Sequence, residues 1–439
     1  MLGRWEIKAE WEHLATGEPE ERACFSALAI YADDHCLSEG QDGLANRLRK
    51  APYLSAYHLA EWLAWNWWRL RWEPRSHAAD WTLSHHMSSI GGGYVWPDLT
   101  FSSDGERLLV VARPTVERPE TLFRYINAHS VVLPATAFEA GVDQFVTQVL
   151  ERLDVKGVKH SNLADIWSEV MAERSDPEMT LYRKLEALMG HDADEAPTDL
   201  MDQLQNDARE FGSIAAQELA ANLGKGSSSL LSAALIKDIA RTKGSRSSPQ
   251  DRVRGAEEAK AVNRSNTPAW KLGADSARLL RKQESLGSRP IGNDCLAAMM
   301  GTVPQTLQRV SERLDAFAFA LDEPDLHNPL VLRARGETGR RFELARLLGD
   351  YLMPGDAKKL YPATGTDTYQ QRLQRAFAAE LLCPFETVRD MLNGDYSDEN
   401  MQEVAHHFQV SDLTVRTQLV NNDHLERSAL DDERFALAA

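Results

Sequence analysis

The sequence predicts an α+β protein of two or three domains, and three observations carry that expectation. Trp5, Ile7, Ala9 and Trp11 alternate with charged neighbours, the period of a half-buried strand. The segment DLTFSSDGERLLVVA alternates, turns at Asp104-Gly105 and alternates again, a hairpin signal. Between about His160 and Pro268 the strand signals disappear and helical periodicity takes over. At about 100 to 200 residues per domain, the 439 residues then divide into an N-terminal mixed sheet-and-helix domain over 1–158, a helical middle region with a basic linker over 159–267, and a last region over 268–439.

Each element follows from local chemistry. The run ACFSALAIY from Ala23 is expected to pair with the first strand. A helix is expected after Leu54, capped by Ser55 and ended by Pro74, which cannot continue a helix. It carries Trp62, Trp65, Trp67, Trp68 and Trp72, four of which follow at three- and four-residue spacings and predict one broad aromatic face. Burial across a curved sheet explains that face; the alternative is a surface for a partner, in which Trp62, Trp65 and Trp72 act with Arg69 through cation-π or phosphate contacts. His85 and His86 precede a triple glycine, and adjacent residues of a strand point to opposite faces, so the pair does not chelate one metal readily. A strand around Val131 to Leu133 and the amphipathic helix FEAGVDQFVTQVLERL close the first domain.

The middle region reads as helices such as TLYRKLEALMG and DLMDQLQNDAREFGSIAAQELAANLG. GKGSSS lacks the glycine spacing and the leading strand of a phosphate-binding loop. His191-Asp192 has no metal-ligand partners at suitable spacing and reads as loop. Lys225, Lys237, Arg241, Lys243, Arg246, Arg252 and Arg254 form the one basic stretch, a solvated face by the simplest account and a nucleic-acid contact by the alternative.

Composition bounds the function. A formal charge of -17 repels a phosphate backbone unless cations cluster locally, so nucleic acid is not the default partner. No run of 18 apolar residues and no signal-peptide pattern occurs, which leads to the expectation of a cytoplasmic protein with no membrane span. Cys24, Cys36, Cys295 and Cys383 form no C-x-x-C pair and are expected to be reduced and packed.

The last third carries motifs. PAWKLGADSARLLRKQESLG reads as a helix, DAFAFAL and NPLVLRARG as short strands, then RRFELARLLGDYL (340–352) as a helix and QRAFAAELLCP (374–384) as another. These blocks resemble the ImmA/IrrE family of zinc metallo-endopeptidases, whose first block reads approximately R-R-F-x-L-A-H-E-L-G-H-x-L and whose second reads A-N-x-F-A-A-E-L-L-M-P. Arg341, Phe342, Leu344, Ala345, Leu348, Gly349 and Leu352 match the first, and Phe377 to Leu382 with Pro384 match the second. VAHHFQVSDLTVRTQL is similar to the family's closing helical segment, so the resemblance covers about 268 to 425. It implies a zincin-like, mainly helical domain with a small sheet.

The catalytic positions depart from the family. An H-E-x-x-H helix places two imidazoles on one face around zinc, with the glutamate activating water. Here those positions are Arg346, Leu347 and Asp350, and the family's glutamates in the second block fall at Gln371 and Leu373. An arginine repels a divalent ion, so the expectation is a degenerate peptidase with no metal, no cofactor and no catalytic residue. Glu343, Arg346 and Asp350 stand at i, i+3 and i+7 and are expected to form an ion-pair ladder in the emptied cleft. Asp350, Glu343 and Glu380 leave open a migrated metal site. By resemblance the chain is expected to be a bacterial regulatory or interaction protein that recognises a protein partner in a stress, mobile-element or defence setting. The alternatives are an active metallo-endopeptidase with rearranged ligands and a nucleic-acid-associated module using 225–254.

Overall fold

The computed structural model describes residues 3–76, 78, 80–116, 122–224, 231–249, 264–308, 317–353 and 358–430. It is α+β, with several small sheets among many helices. The chain divides into two compact units, Met1–Met201 with Gly224–Gly226 and Asp202–Leu223 with Ser227–Ala439, so the helical middle region contributes residues to both.

In the first unit β1 (Trp5–Trp11) lies antiparallel to β2 (Phe25–Ala32), with Trp5 opposite Ala32 and Trp11 opposite Ser26. β2 also pairs with β3 (His35–Cys36) and β6 (Tyr53–Ser55). β4 (Gly40–Asp42) stands between β5 (Arg47–Arg49) and β9 (Phe123–Tyr125). The expected hairpin is β7 (Asp98–Ser103) with β8 (Arg107–Arg113), extended by β10 (His129–Pro134). Helix α5 (Ala135–Val155) presses on β1 so closely that a Cβ on Gly141 would meet the Trp5 carbonyl oxygen at 2.3 Å. Trp5, Phe101 and Phe138 interlock there, with the Trp5 and Phe101 rings edge to face at 5.6 Å.

The tryptophan segment is two helices, α2 (Ala56–Trp65) and α3 (Trp67–Trp72), following the short α1 (Pro19–Ala23). Ser55 caps α2 by accepting from the His58 N–H at 3.3 Å, as its sequence position predicts. Asn66 stands at the joint and donates its side-chain amide to the Trp62 carbonyl at 2.9 Å. This break corrects the single aromatic face, because a 3.6-residue period holds only within one continuous helix. Trp67 and Trp68 are buried, Trp62 and Trp72 half-buried, and Trp65 is 61% exposed. After α4 (Trp81–His85) the chain passes through a 3-10 turn, Met87–Ile90, and later adds α6 (Asn162–Ser175) and α7 (Pro177–Met189).

The second unit takes α8 (Thr198–Phe211) from Asp202 and α9 (Ser213–Gly224) up to Leu223, then α10 (Ala233–Lys243). An antiparallel sheet runs β11 (Ser245–Arg246), β13 (Pro329–Val331), β12 (Ala318–Leu321), β14 (Leu360–Ala363) in spatial order. Among the helices are α11 (Ala269–Gln283), α12 (Asn293–Met300) and α13 (Gln305–Gln308). The two motif blocks form α14 (Glu337–Leu352) and α15 (Tyr369–Leu382), and α16 (Phe385–Leu392), α17 (Asp398–Phe408) and α18 (Asp412–Asn421) close the unit. Glycines set the spacing around α15. A Cβ on Gly349 would meet Phe377 at 2.4 Å, and one on Gly273 would meet the Leu373 carbonyl at 2.4 Å. Leu344, Leu348, Leu373, Phe377 and Leu381 fill the core between these helices.

Candidate functional site

The second unit holds a buried polar cluster where α14 faces α15. Arg346 and Asp350 lie one turn apart on α14, 8% and 1% exposed. The Arg346 Nη2 donates to the Thr364 carbonyl at 2.6 Å, to Gln371 Oε1, and at 3.3 Å to Gln374 Oε1. Gln371 is itself fixed: its Oε1 accepts from the Thr364 N–H at 2.8 Å, and its amide donates to the Pro362 carbonyl at 2.9 Å. Gln374 donates to the same carbonyl at 3.1 Å. The guanidinium thus sits on oxygens of neutral groups. Burial, with a smaller contribution from Arg375, pushes its pKa down to about 9, which leaves it cationic at neutral pH.

Asp350 Oδ1 accepts from Lys358 Nζ at 2.6 Å and from the Gln370 amide. From α9, Glu218 accepts from the Thr368 hydroxyl at 2.9 Å and lies 3.5 Å from that of Thr366. Burial pushes the Glu218 carboxyl up to about 7, with the Thr368 hydrogen bond opposing.

The expected Glu343-Arg346-Asp350 ladder does not form. Glu343 turns back toward the chain before the helix, accepting from the Arg333 and Ala334 N–H groups at 2.8 and 3.0 Å. Asp350 is taken by Lys358 and Arg346 by the neighbouring helix, so partners distant in sequence outcompete those one turn away. Leu347 is fully buried core. Glu380 accepts from Arg278 at 2.8 Å, Gln418 at 2.8 Å and the Phe385 N–H at 3.2 Å, tying α11 and α18 to the start of α16. Glu343, Asp350 and Glu380 are therefore engaged separately. Among the described residues no group of three or more His, Cys, Asp or Glu side chains is placed to hold a metal ion.

The sequence candidates of the first unit have different surroundings. Arg69 is 5% exposed and bonds Glu73 Oε2 at 2.7 Å, Asp192 Oδ1 at 3.1 Å and Asp80 Oδ2 at 3.5 Å. This corrects its place on a partner surface: its guanidinium is spent on carboxylates. Burial opposes the charge, and the hydrogen bonds and charges of Glu73 and Asp192 more than offset it, so the Arg69 pKa is raised. Glu73 is pushed up to about 7 by burial, against the pull of Arg69. His85 stacks on Trp81 at 4.3 Å and is driven down to about 3 by burial. His85 and His86 lie at the end of α4 and just beyond it rather than on a strand, and they face different partners. Trp72 is covered by Arg71 and Lys184, which leaves Trp65 as the exposed tryptophan of the predicted surface.

In the basic stretch Lys237 pairs with Glu210. Lys225, Arg252 and Arg254 lie outside the described residues. Among the described residues no helix is long and apolar enough to cross a membrane. Compared with protein-family models, curated proteins and solved structures, the chain matches none.

Proposed function

We propose that the second unit is an ImmA/IrrE-like domain in which an arginine stands where the family binds zinc, and that it acts by recognising a protein partner in a bacterial regulatory setting. One observation carries the reading. Arg346 reaches Gln371 and Gln374 across two helices, with under a tenth of its surface exposed. In the register of the resemblance, 346 and 350 are the histidine positions and 371 a glutamate position; Gln371 meets the Arg346 guanidinium, while Asp350 is held by Lys358 and Gln370. This donor set does not fit a divalent cation. The guanidinium offers no lone pair, its charge opposes that of the ion, and the amide oxygens are already hydrogen-bonded. Without a metal-bound water the H-E-x-x-H chemistry has no nucleophile, which leaves binding as the role of the surrounding surface.

Metal reconstruction tests this register. The variant Arg346→His, Leu347→Glu, Asp350→His, Gln371→Glu is expected to take up one zinc per chain by elemental analysis and to gain thermal stability from it. The unsubstituted protein should hold no stoichiometric zinc and release no fragments from candidate repressor proteins. A folded variant that binds no zinc, or chelator-sensitive cleavage by the unsubstituted protein, overturns the proposal.

A further inference from the structure

His86, Ser88 and Asp98 of the first unit stand in a hydrogen-bonded row. Asp98 Oδ1 lies 2.6 Å from His86 Nε2, and Ser88 Oγ lies 2.8 Å from His86 Nδ1. A carboxylate only accepts, so in the neutral ring the proton sits on Nε2 and the Nδ1 lone pair is left for the Ser88 hydroxyl. The nitrogens are used in the reverse sense to the familiar serine-hydrolase order, but the roles are the same: a nucleophile, a base, and a carboxylate that fixes the base's tautomer. We propose that these three residues form a serine acyl-transfer site acting on carboxylic esters. The proposal is independent of the reading of the second unit.

The backbone holds the row in place. His86 forms an isolated antiparallel bridge with Thr100, two residues from Asp98 on the same strand, which brings base and carboxylate together. His85 and Met87 on either side are fully buried, so the His86 main chain is anchored while Ser88 projects to solvent. Ser89 is tied down by hydrogen bonds to the Leu83 and His86 carbonyls, which leaves Ser88 as the exposed hydroxyl of the turn. Gly91, Gly92 and Gly93 follow, with φ of 66°, 65° and 81°, a conformation that side chains disfavour. Among the described residues no hydrogen bond is seen from their N–H groups. Leu83 and Val95, which flank the turn in sequence, are 65% and 55% exposed.

The step balances. Ser88 Oγ attacks the ester carbonyl carbon while its proton passes to His86 Nδ1. The tetrahedral oxyanion collapses, the bond to the leaving oxygen breaks, and that oxygen takes the proton from His86. Water then attacks the acyl-Ser88 ester with His86 again as base, releasing the carboxylic acid and restoring the serine. Asp98 touches no reacting atom and is a positioning residue.

A fluorophosphonate probe, which forms an Oγ–P bond with loss of fluoride, and 4-nitrophenyl butyrate hydrolysis test this on the full chain. Mass spectrometry is expected to place the adduct on Ser88, with Ser88→Ala abolishing both labelling and hydrolysis. His86→Gln, which keeps a hydrogen-bonding side chain but takes up no proton, should slow labelling by about 100-fold, the lower bound for a lost general base. Asp98→Asn should slow it and move the rise of the rate toward lower pH, a change that a purely structural contact would not produce. No adduct on Ser88 in the folded protein overturns the proposal. So does labelling that His86→Gln leaves unchanged, which would make the row a structural tie seen only as a lower melting temperature.

Discussion

Arg69 and Arg346 are buried to nearly the same degree, 5% and 8% exposed, yet they live in opposite environments. The first is surrounded by the carboxylates of Glu73, Asp192 and Asp80; the second by a carbonyl and two amide oxygens. The same desolvation therefore ends with a raised pKa in one and a lowered pKa in the other. The difference teaches that a buried arginine is diagnosed by its partners. Arg69 is the cation shared by three carboxylates, whereas Arg346 carries a charge that the Gln371 and Gln374 oxygens solvate without neutralising.

Substitution breaks the comparison most sharply at Arg69. Arg69→Met strands the buried Glu73 carboxylate, and denaturant melts at pH 8 should show a loss of about 3–5 kcal/mol. Glu73, pushed up to about 7, can escape by protonation, so the deficit should shrink in melts at pH 5.

The next largest effect is a pH slope. Glu218 has a folded pKa of about 7 against an ordinary 4.5, so the native state holds a proton that the unfolded chain has released. Its contribution to stability is full below about pH 4.5 and is lost as pH rises through about 7, a change on the order of 3 kcal/mol. Glu218→Gln should flatten the melting temperature between pH 5 and 8; an unchanged slope would show that Glu218 titrates normally.

Arg346→Met should cost far less than Arg69→Met, within about 1.5 kcal/mol either way, because it strands no carboxylate and removes a desolvated charge. A loss as large as that at Arg69 would mean that Glu218 and Asp350 depend on this guanidinium after all. The smallest effect belongs to Asp80→Asn. Asp80 is 59% exposed and 3.5 Å from Arg69, so its removal should change stability by less than about 0.5 kcal/mol.

Much of the fold was legible. The alternation of Trp5 to Trp11, the Asp104-Gly105 turn, the Ser55 cap and the motif helices at 337–352 and 369–382 all rest on local periodicity, which a sequence displays directly. The helix break at Asn66 was not legible, since it depends on packing that turns Trp67 inward. Nor was β14, four residues containing Pro362 that become a strand only by pairing with β12. At the candidate site Arg346 and Asp350 were found, but not their partners. Glu218 and Thr368 stand 150 positions apart, and no local spacing announces that meeting. The His86 to Asp98 hydrogen bond was hidden for a similar reason, because the bridge to Thr100 makes it.

The close seating of Gly349 on Phe377 and of Gly273 on the α15 backbone leaves these three helices no slack. A partner docking over a surface that keeps this shape would lose little ordering entropy on association. If the second unit binds a protein as proposed, a change of partner would fall on its rim side chains, because neither glycine can be enlarged without moving Phe377 or the α15 backbone.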